Sequence, residues 1–408
     1  MKTRVLVIDD DQGSLDLIER LLTQEDFLVR TLRDSTLAID EIMEFQPHAV
    51  LLDIMMPKMD GFTLLGEIRG REEFDSIKTI VVTAKKFEFD YKRAFEEGAD
   101  AYVSKPVSAA VLVEEIDRVL KDTMKITFWG TRGTIPKPGK DTLRFGGNTP
   151  CVSVEMTKDR IFIFDAGTGI INLGTYLVSL KKRLKMNLFI THPHWDHIHG
   201  FPYFKILFLQ GNELAVYGSP HGGISTREII SGQMDSISFP ITIKEFASRV
   251  YFNDITEGEY EIEDLPVKTI SLNHPGVTLG YRLTNSSGKS VAYITDNELV
   301  PDDIEQRDLF QRKRLVEFLK GVDVLIHDAS YFDDEYRSSK VRWGHSPITE
   351  VMKLAEEAQV KSLYLFHHEP DYSDDQVAEM ERIGQEYCQN RNLDIKCFAA
   401  AEGDSISL

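Results

Sequence analysis

The run Thr191-His192-Pro193-His194-Trp195-Asp196-His197 gathers three imidazoles and a carboxylate into seven residues. Neutral imidazole and carboxylate oxygen are ligands for Zn, Mn or Fe, and so dense a set suits two adjacent metal ions. The apolar segment Asn187-Leu188-Phe189-Ile190 leads directly into it. A buried strand that delivers ligands at its carboxyl end is therefore expected, rather than a histidine-rich surface loop set among polar neighbours. Whatever fold forms must bring further ligands to this loop.

A chain of 408 residues is too long for one core and suggests two or three domains. Its formal charge of −19, with no basic cluster beyond runs such as Lys181-Lys182-Arg183, argues against a DNA partner, because phosphate neutralisation needs grouped Lys and Arg. The cysteines, Cys151, Cys388 and Cys397, are odd in number and form no close pair, so neither a disulfide framework nor a zinc ribbon is indicated. Only a short apolar stretch follows the amino terminus, and no apolar run of membrane-spanning length occurs later. A cytoplasmic protein without a membrane partner is expected.

Residues 1–122 alternate short apolar strands, at 5–8, 27–31, 49–53, 79–83 and 101–104, with amphipathic helices, the last over 108–121. This alternation predicts a parallel sheet covered on both faces, whose functional residues gather beyond the carboxyl ends of the strands. Asp9, Asp10, Asp53, Thr83 and Lys105 fall there. Three converging carboxylates repel one another unless a cation sits among them, and hard oxygen ligands select Mg²⁺. Asp53 then reads as a nucleophile that accepts a phosphoryl group, with Lys105 pairing to phosphoryl oxygens and Thr83 hydrogen-bonding one.

These motifs resemble a response-regulator receiver domain along the full 122 residues. The resemblance matches the paired acids to Asp9 and Asp10 and the phospho-acceptor to Asp53 within Leu52-Asp53-Ile54-Met55-Met56-Pro57. It matches the switch residues to Thr83, Lys105 and Tyr102, and a loop to Met59-Asp60-Gly61. It implies a flavodoxin-like doubly wound (βα)5 fold, a histidine-kinase partner and regulation of whatever follows. Asp122-Thr123 ends the last helix and an apolar strand begins at Met124, so almost no linker separates residues 1–122 from 124–408. A junction this short predicts that the receiver packs against its neighbour or shares a homodimer axis with it.

In the second part, strand-like segments at 126–129, 151–156 and 160–164 are separated by glycine-rich loops, and a helix is expected over 171–184. Two metals need more ligands than one loop provides. His274, Asp296 and His367 each follow an apolar strand, at 269–272, 291–294 and 363–366, as the metal loop does. Asp328, in Leu325-Ile326-His327-Asp328-Ala329, and His345, in Trp343-Gly344-His345-Ser346-Pro347, suggest an Asp that orients a His as general acid.

Together, residues 124–408 resemble an αββα metallo-β-lactamase-fold hydrolase, closest to the phosphodiesterase branch that includes tRNase Z and bacterial cyclic-nucleotide phosphodiesterases. The resemblance assigns His192, His194 and His274 to one metal and Asp196, His197 and His367 to the other. It makes Asp296 the bridge and leaves His368 as an alternative last ligand. The His-Asp-Ala-Ser segment at 327–330 and Gly-His-Ser at 344–346 are similar to motifs that tRNase Z uses for proton transfer. No glycine- and lysine-rich arm of the tRNA-processing members is present, and Asp rather than Cys at the bridging position argues against a β-lactam hydrolase. The expected activity is a metal-dependent phosphodiesterase for a small cyclic nucleotide or similar diester, with Zn the foremost metal and Mn or Fe the alternatives. Thioester or lactone hydrolysis on the same metals, and a non-enzymatic metal-based sensor, stay open at this point.

Overall fold

The computed structural model describes every residue except 1, 75–76, 85–87, 121–122, 157–159, 236–238, 302 and 305–308. Contacts divide the chain into two compact units, Met1–Asp122 and Thr123–Leu408. In the first, β1 (Arg4–Ile8), α1 (Gln12–Gln24), β2 (Leu28–Leu32), α2 (Ala38–Phe45), β3 (Ala49–Leu52), α3 (Gly61–Arg69), β4 (Lys78–Thr83), α4 (Glu88–Glu96), β5 (Ala101–Ser104) and α5 (Ala109–Leu120) alternate. The sheet order is β2-β1-β3-β4-β5 with every pair parallel. All four residues of β3 are buried, as the continuous apolar run of a strand covered on both faces requires. Leu15, Ile18 and Leu22 of α1 join Leu112, Ile116 and Val119 of α5 on one face, and α2 and α3 supply the core of the other. The expected doubly wound architecture is what forms. The last helix, expected over 108–121, is described over Ala109–Leu120, and Lys121 and Asp122 lie outside the described residues.

The second unit runs β6 (Met124–Gly130), β7 (Cys151–Met156), β8 (Ile161–Phe164), α6 (Ile170–Ser179), β9 (Lys185–Phe189), α7 (Trp195–Ile198), β10 (Glu213–Gly218), α8 (Thr226–Gly232) and β11 (Arg249–Asp254). It continues through β12 (Gly258–Ile262), β13 (Leu265–Ser271), β14 (Leu279–Thr284), β15 (Ser290–Ile294), α9 (Leu309–Leu319), β16 (Val324–Asp328), a single turn α10 (Asp333–Glu335), α11 (Ile348–Glu357), β17 (Ser362–Phe366), α12 (Asp374–Arg391), β18 (Lys396–Ala399) and β19 (Ser405–Ser407). Two seven-stranded mixed sheets result, ordered β11-β10-β9-β8-β7-β6-β19 and β12-β13-β14-β15-β16-β17-β18. One core fills the space between the sheets, with Phe128, Phe164, Phe189, Tyr281, Tyr293 and Phe366 fully or nearly fully buried in it. A second core joins the β12–β18 sheet to α9, α11 and α12, and a third joins the other sheet to α6 and α8. The layers are therefore helix, sheet, sheet, helix, the expected sandwich.

Helix α6 stops at Ser179 instead of continuing to residue 184, because Lys181 takes a left-handed φ of +54° and Leu184 is drawn into the sheet core. The three cysteines are buried and free. Among the described residues no helix is long and apolar enough to cross a membrane.

Candidate metal centre

Strands β8 and β9 are parallel neighbours in one sheet, and β15, β16 and β17 are parallel neighbours in the other. Their carboxyl ends carry Asp165, Thr191 with His192, Asp296, Asp328 and His367. Asp165, Asp296 and His367 all adopt left-handed φ values, +59°, +55° and +57°, at these exits. Such backbone costs on the order of 1–3 kcal/mol per non-glycine residue and persists where the surroundings impose it. Here it turns each side chain inward as its strand ends.

The ligand atoms meet around one carboxylate. Oδ2 of Asp296 lies 3.4 Å from Nε2 of His192 and 3.6 Å from Nε2 of His274, and that Nε2 lies 3.2 Å from Nδ1 of His194. Oδ1 of Asp296 lies 3.3 Å from Nε2 of His197 and 3.3 Å from Nε2 of His367. Oδ2 of Asp196 stands 3.1 and 3.2 Å from the same two nitrogens. His192, His194, His274 and Asp296 thus form one potential ligand group, and Asp196, His197 and His367 form another. His194 is exposed, so the cluster opens to solvent on that side.

The donor set fits divalent metals. Nε2 of His192 and Nε2 of His197 are buried and face carboxylate oxygens at 3.1 to 3.4 Å without hydrogen-bond geometry, a costly arrangement for a polar atom that a ligand bond resolves. Burial holds His192 and His274 below the usual histidine range, and partial desolvation against the neighbouring rings lowers the more exposed His194 as well, in the neutral form that coordinates metal. Burial opposes ionisation of Asp196 and Asp296 too, yet the surrounding imidazoles outweigh it and keep both carboxyls well below their usual range. His197 is drawn the opposite way: against burial, the charges of Asp196, Asp296 and Asp165 raise it. A pocket with this balance attracts a cation.

Outer partners fix the rings. Oδ2 of Asp165 lies 2.8 Å from Nδ1 of His197, and the same carboxylate accepts from the Thr191 N–H at 2.8 Å, the Thr191 hydroxyl at 3.0 Å and the Tyr293 hydroxyl at 3.0 Å. Nδ1 of His274 is 2.9 Å from the Gly344 carbonyl, so it carries the proton and turns Nε2 to the centre. The Thr134 N–H donates to Asp196 at 2.8 Å. Gly133 lies against His367: a Cβ there would stand 2.3 Å from its ring. The fully buried Arg132 secures this loop by donating to the carbonyls of Gly146, Glu369 and Tyr372.

His345 stacks on His367 with centroids 4.8 Å apart and lies 5.2 Å from His274. Its Nδ1 is 3.2 Å from Oδ2 of Asp328, which also accepts from the Ser346 N–H at 3.3 Å. Burial disfavours the imidazolium, but the Asp328 hydrogen bond and the charge of Asp296 prevail and push His345 up to about 9. His327 is buried with Nδ1 against Asp328, away from the cluster. His368 donates Nε2–H to the Ala400 carbonyl at 2.8 Å, and burial pushes it down to about 3. Of the two adjacent histidines, the fold therefore turns His367 to the ligands.

In the first unit, ligand atoms of Asp9, Asp10 and Asp53 lie within 4.8 Å of one another. Lys105 Nζ bridges Asp9 at 2.6 Å and Asp53 at 2.9 Å. Burial favours neutral forms of Asp9 and Lys105; for Asp9 it prevails and raises the carboxyl, whereas the two carboxylates raise Lys105 in spite of it. Thr83 is fully buried at the end of β4, and Tyr102 is partly buried on β5 with its ring 5.5 Å from Tyr91. Asp11, next in sequence, caps α1 through the Ser14 N–H at 2.8 Å. Gly61 touches the Asp53 backbone so closely that a Cβ would meet its carbonyl oxygen at 2.2 Å.

Two site residues escape sequence reasoning. Asp165 is part of Asp165-Ala166-Gly167-Thr168-Gly169, where the glycines suggest only a tight loop. Glu298, whose carboxylate accepts from the Arg342 and Gly344 N–H groups just before His345, sits two positions past Asp296 in a stretch without a motif. The one available signal is position, since Asp165 follows an apolar strand as the candidate ligands do.

A response regulator receiver domain model matches residues 5–117, and a beta-lactamase superfamily domain model matches residues 160–368. Among solved structures, the metallo-beta-lactamase fold protein YhfI from Bacillus subtilis is 16% identical with a TM-score of 0.51, the match covering 70% of this chain and 100% of that one. A CheY-like receiver domain protein from Methanospirillum hungatei is 30% identical over 29% of this chain and 94% of that one, TM-score 0.27. A LuxR-family DNA-binding response regulator from Staphylococcus aureus is 32% identical over 29% of this chain and 99% of that chain, TM-score 0.28. The chain belongs to the beta-lactamase superfamily and carries a response regulator receiver domain at its N-terminus. That fold implies binding of divalent metal, and the receiver implies phosphotransfer from a histidine kinase.

Asp165→Asn should weaken metal binding about 10–100-fold by loosening His197 while leaving every candidate ligand in place, as loss of an outer partner does. Competition with a chromophoric chelator measures this, and an unchanged affinity contradicts the role given to Asp165.

Proposed function

We propose that the second unit is a dinuclear-metal phosphodiesterase acting on a small cyclic nucleotide or similar diester, under control of phosphorylation at Asp53. His192, His194 and His274 would hold one divalent ion and Asp196, His197 and His367 the other, with Asp296 between them. Such a pair, when bound, lowers the pKa of water and stabilises negative charge on phosphoryl oxygens. Zn suits the imidazole-rich set, with Mn and Fe as alternatives, and Mg²⁺ suits the all-oxygen group of Asp9, Asp10 and Asp53.

The observation that carries the reading is the Asp328–His345 pair beside the ligand cluster. Asp328 engages Nδ1, which leaves Nε2 as the atom that delivers a proton. The Asp328 carboxylate accepts from Nδ1–H and supports the imidazolium, so His345 serves as general acid toward the leaving oxygen. Trp195, 83% exposed between His194 and Asp196, offers a flat apolar face for an organic ester group at the entrance.

His345→Ala should retain metal yet lose about 10²–10⁴-fold in turnover of diesters with poor leaving groups, and far less for bis(p-nitrophenyl) phosphate, whose leaving group needs little protonation. Equal losses on both substrates refute the proton-donor assignment.

In the receiver, Asp53 would take the phosphoryl group from the kinase, and pairing of receivers in a homodimer would carry the signal to the hydrolase. Only residues 121–123 stand between α5 and β6 in sequence, which makes the junction the route for coupling. Acetyl phosphate with Mg²⁺ should label the protein but not Asp53→Asn. Inserting about ten Gly-Ser residues after Asp122 should preserve basal hydrolysis and abolish its response to phosphorylation, because a chain of that kind is a flexible coil. An unchanged activity ratio in the insertion variant contradicts coupling through the junction.

A further inference from the structure

Glu298 is 8% exposed, a buried carboxylate to which the proposed chemistry gives no part. Its oxygens accept from the Tyr336 hydroxyl at 2.6 Å, the Arg342 N–H at 2.6 Å and the Gly344 N–H at 3.1 Å. Both amides belong to a loop without regular structure, in which Arg342 and Gly344 have φ of +71° and +86°. Gly344 adopts such backbone freely, but Arg342 is strained in it and holds it only where the surroundings impose it.

The same residue ties together three segments of the site. Its own N–H donates to the Asn273 carbonyl at 2.8 Å, and the Asn273 amide donates back to the Glu298 carbonyl at 2.8 Å. Asn273 precedes His274. Gly344, held by the Glu298 side chain, receives Nδ1 of His274 on its carbonyl and leaves no room for a side chain, since a Cβ would lie 2.2 Å from that nitrogen. His345 comes next. Beyond it the Ser346 hydroxyl accepts from the Leu299 N–H at 3.0 Å and donates to the Asn297 carbonyl, closing a seam between 297–299 and 342–346.

We infer that Glu298 is a positioning residue: its carboxylate fixes the 342–345 loop so that His345 faces the diester and the Gly344 carbonyl orients His274. The role in proton transfer rests on the reading of His345 given above. A carboxylate is suited to the task because all of its lone pairs accept, and charge-assisted bonds to N–H groups are about twice as strong as neutral ones. Glutamine in its place turns an NH₂ group toward a buried N–H and leaves both donors without an acceptor.

The test compares metal-loaded full-length wild type, Glu298→Gln, Glu298→Asp, His345→Ala and the Glu298→Gln/His345→Ala double variant. Amide hydrogen exchange should accelerate about tenfold or more in the 342–346 segment of Glu298→Gln, with the strands of both sheets unchanged. At saturating metal the content should stay at the wild-type level, while affinity weakens up to about 10–100-fold as the Gly344 carbonyl that orients His274 loosens. Turnover of a poor-leaving-group diester should fall about tenfold more than that of bis(p-nitrophenyl) phosphate, with no additional selective loss on top of His345→Ala, as residues acting as one unit require. Glu298→Asp, which keeps the charge but withdraws the oxygens, should give the same pattern. Unchanged exchange in both Glu298 variants overturns the clamp whatever the chemistry. Faster exchange with equal losses on both diesters, while His345→Ala remains selective, overturns the positioning role. Loss of selectivity in His345→Ala itself overturns the proton-donor reading, and the catalytic part of this inference with it.

Discussion

Asp296 and Asp196 are carboxylates almost wholly removed from water, and the desolvation of each costs several kcal/mol unless positive charge compensates it. Five imidazoles crowd around them, and desolvation keeps His192, His194 and His274 neutral. Protonation of His197 alone leaves Nε2 of His192 unsatisfied. Divalent cations resolve the whole imbalance at once: they compensate the carboxylates and accept lone pairs from the neutral rings. The two oxygens of Asp296, each facing a different set of nitrogens, make this residue the hinge of the site.

The sandwich exists in the form needed to make that junction. Its two sheets pack through an aromatic core, in which Phe164 stacks on Phe189 and Tyr293, and this core stands directly beneath the ligands. Tyr293 links the layers chemically as well, because its ring belongs to the core while its hydroxyl donates to Asp165. The strands end in left-handed residues that swing Asp165, Asp296 and His367 inward, and glycines at 133 and 344 give the rings of His367 and His274 their space. Bulky substitution at either glycine would push an imidazole before it touched the core.

Sequence patterns singled out the candidate ligands because each combined a chemically distinctive side chain with an apolar strand just before it. The same two signals located the acidic cluster, Thr83 and Lys105 in the first unit. They could not choose between His367 and His368, since neighbouring positions at a strand exit share the same local pattern; the choice is made by φ at His367 and by the Ala400 carbonyl that engages His368. Asp165 and Glu298 were invisible as site residues for a related reason. Their partners lie 26 to 128 residues away in the chain, at Thr191, His197, Tyr293, Tyr336, Arg342 and Gly344, and nothing local distinguishes an orienting carboxylate from a surface one. Nothing local marks the early stop of α6, because Leu184 continues the apolar pattern yet serves the sheet.

A receiver whose acids and lysine converge at strand ends is thus joined, across three residues, to a hydrolase fold whose histidines converge at strand ends too. The central claim is that Asp296 joins two metal positions into one centre. Electron paramagnetic resonance of the full-length protein loaded with two equivalents of Mn²⁺ tests it most directly. Spin-coupled signals from a pair of neighbouring ions are the predicted result, and spectra of isolated, uncoupled Mn²⁺ at full loading would contradict it.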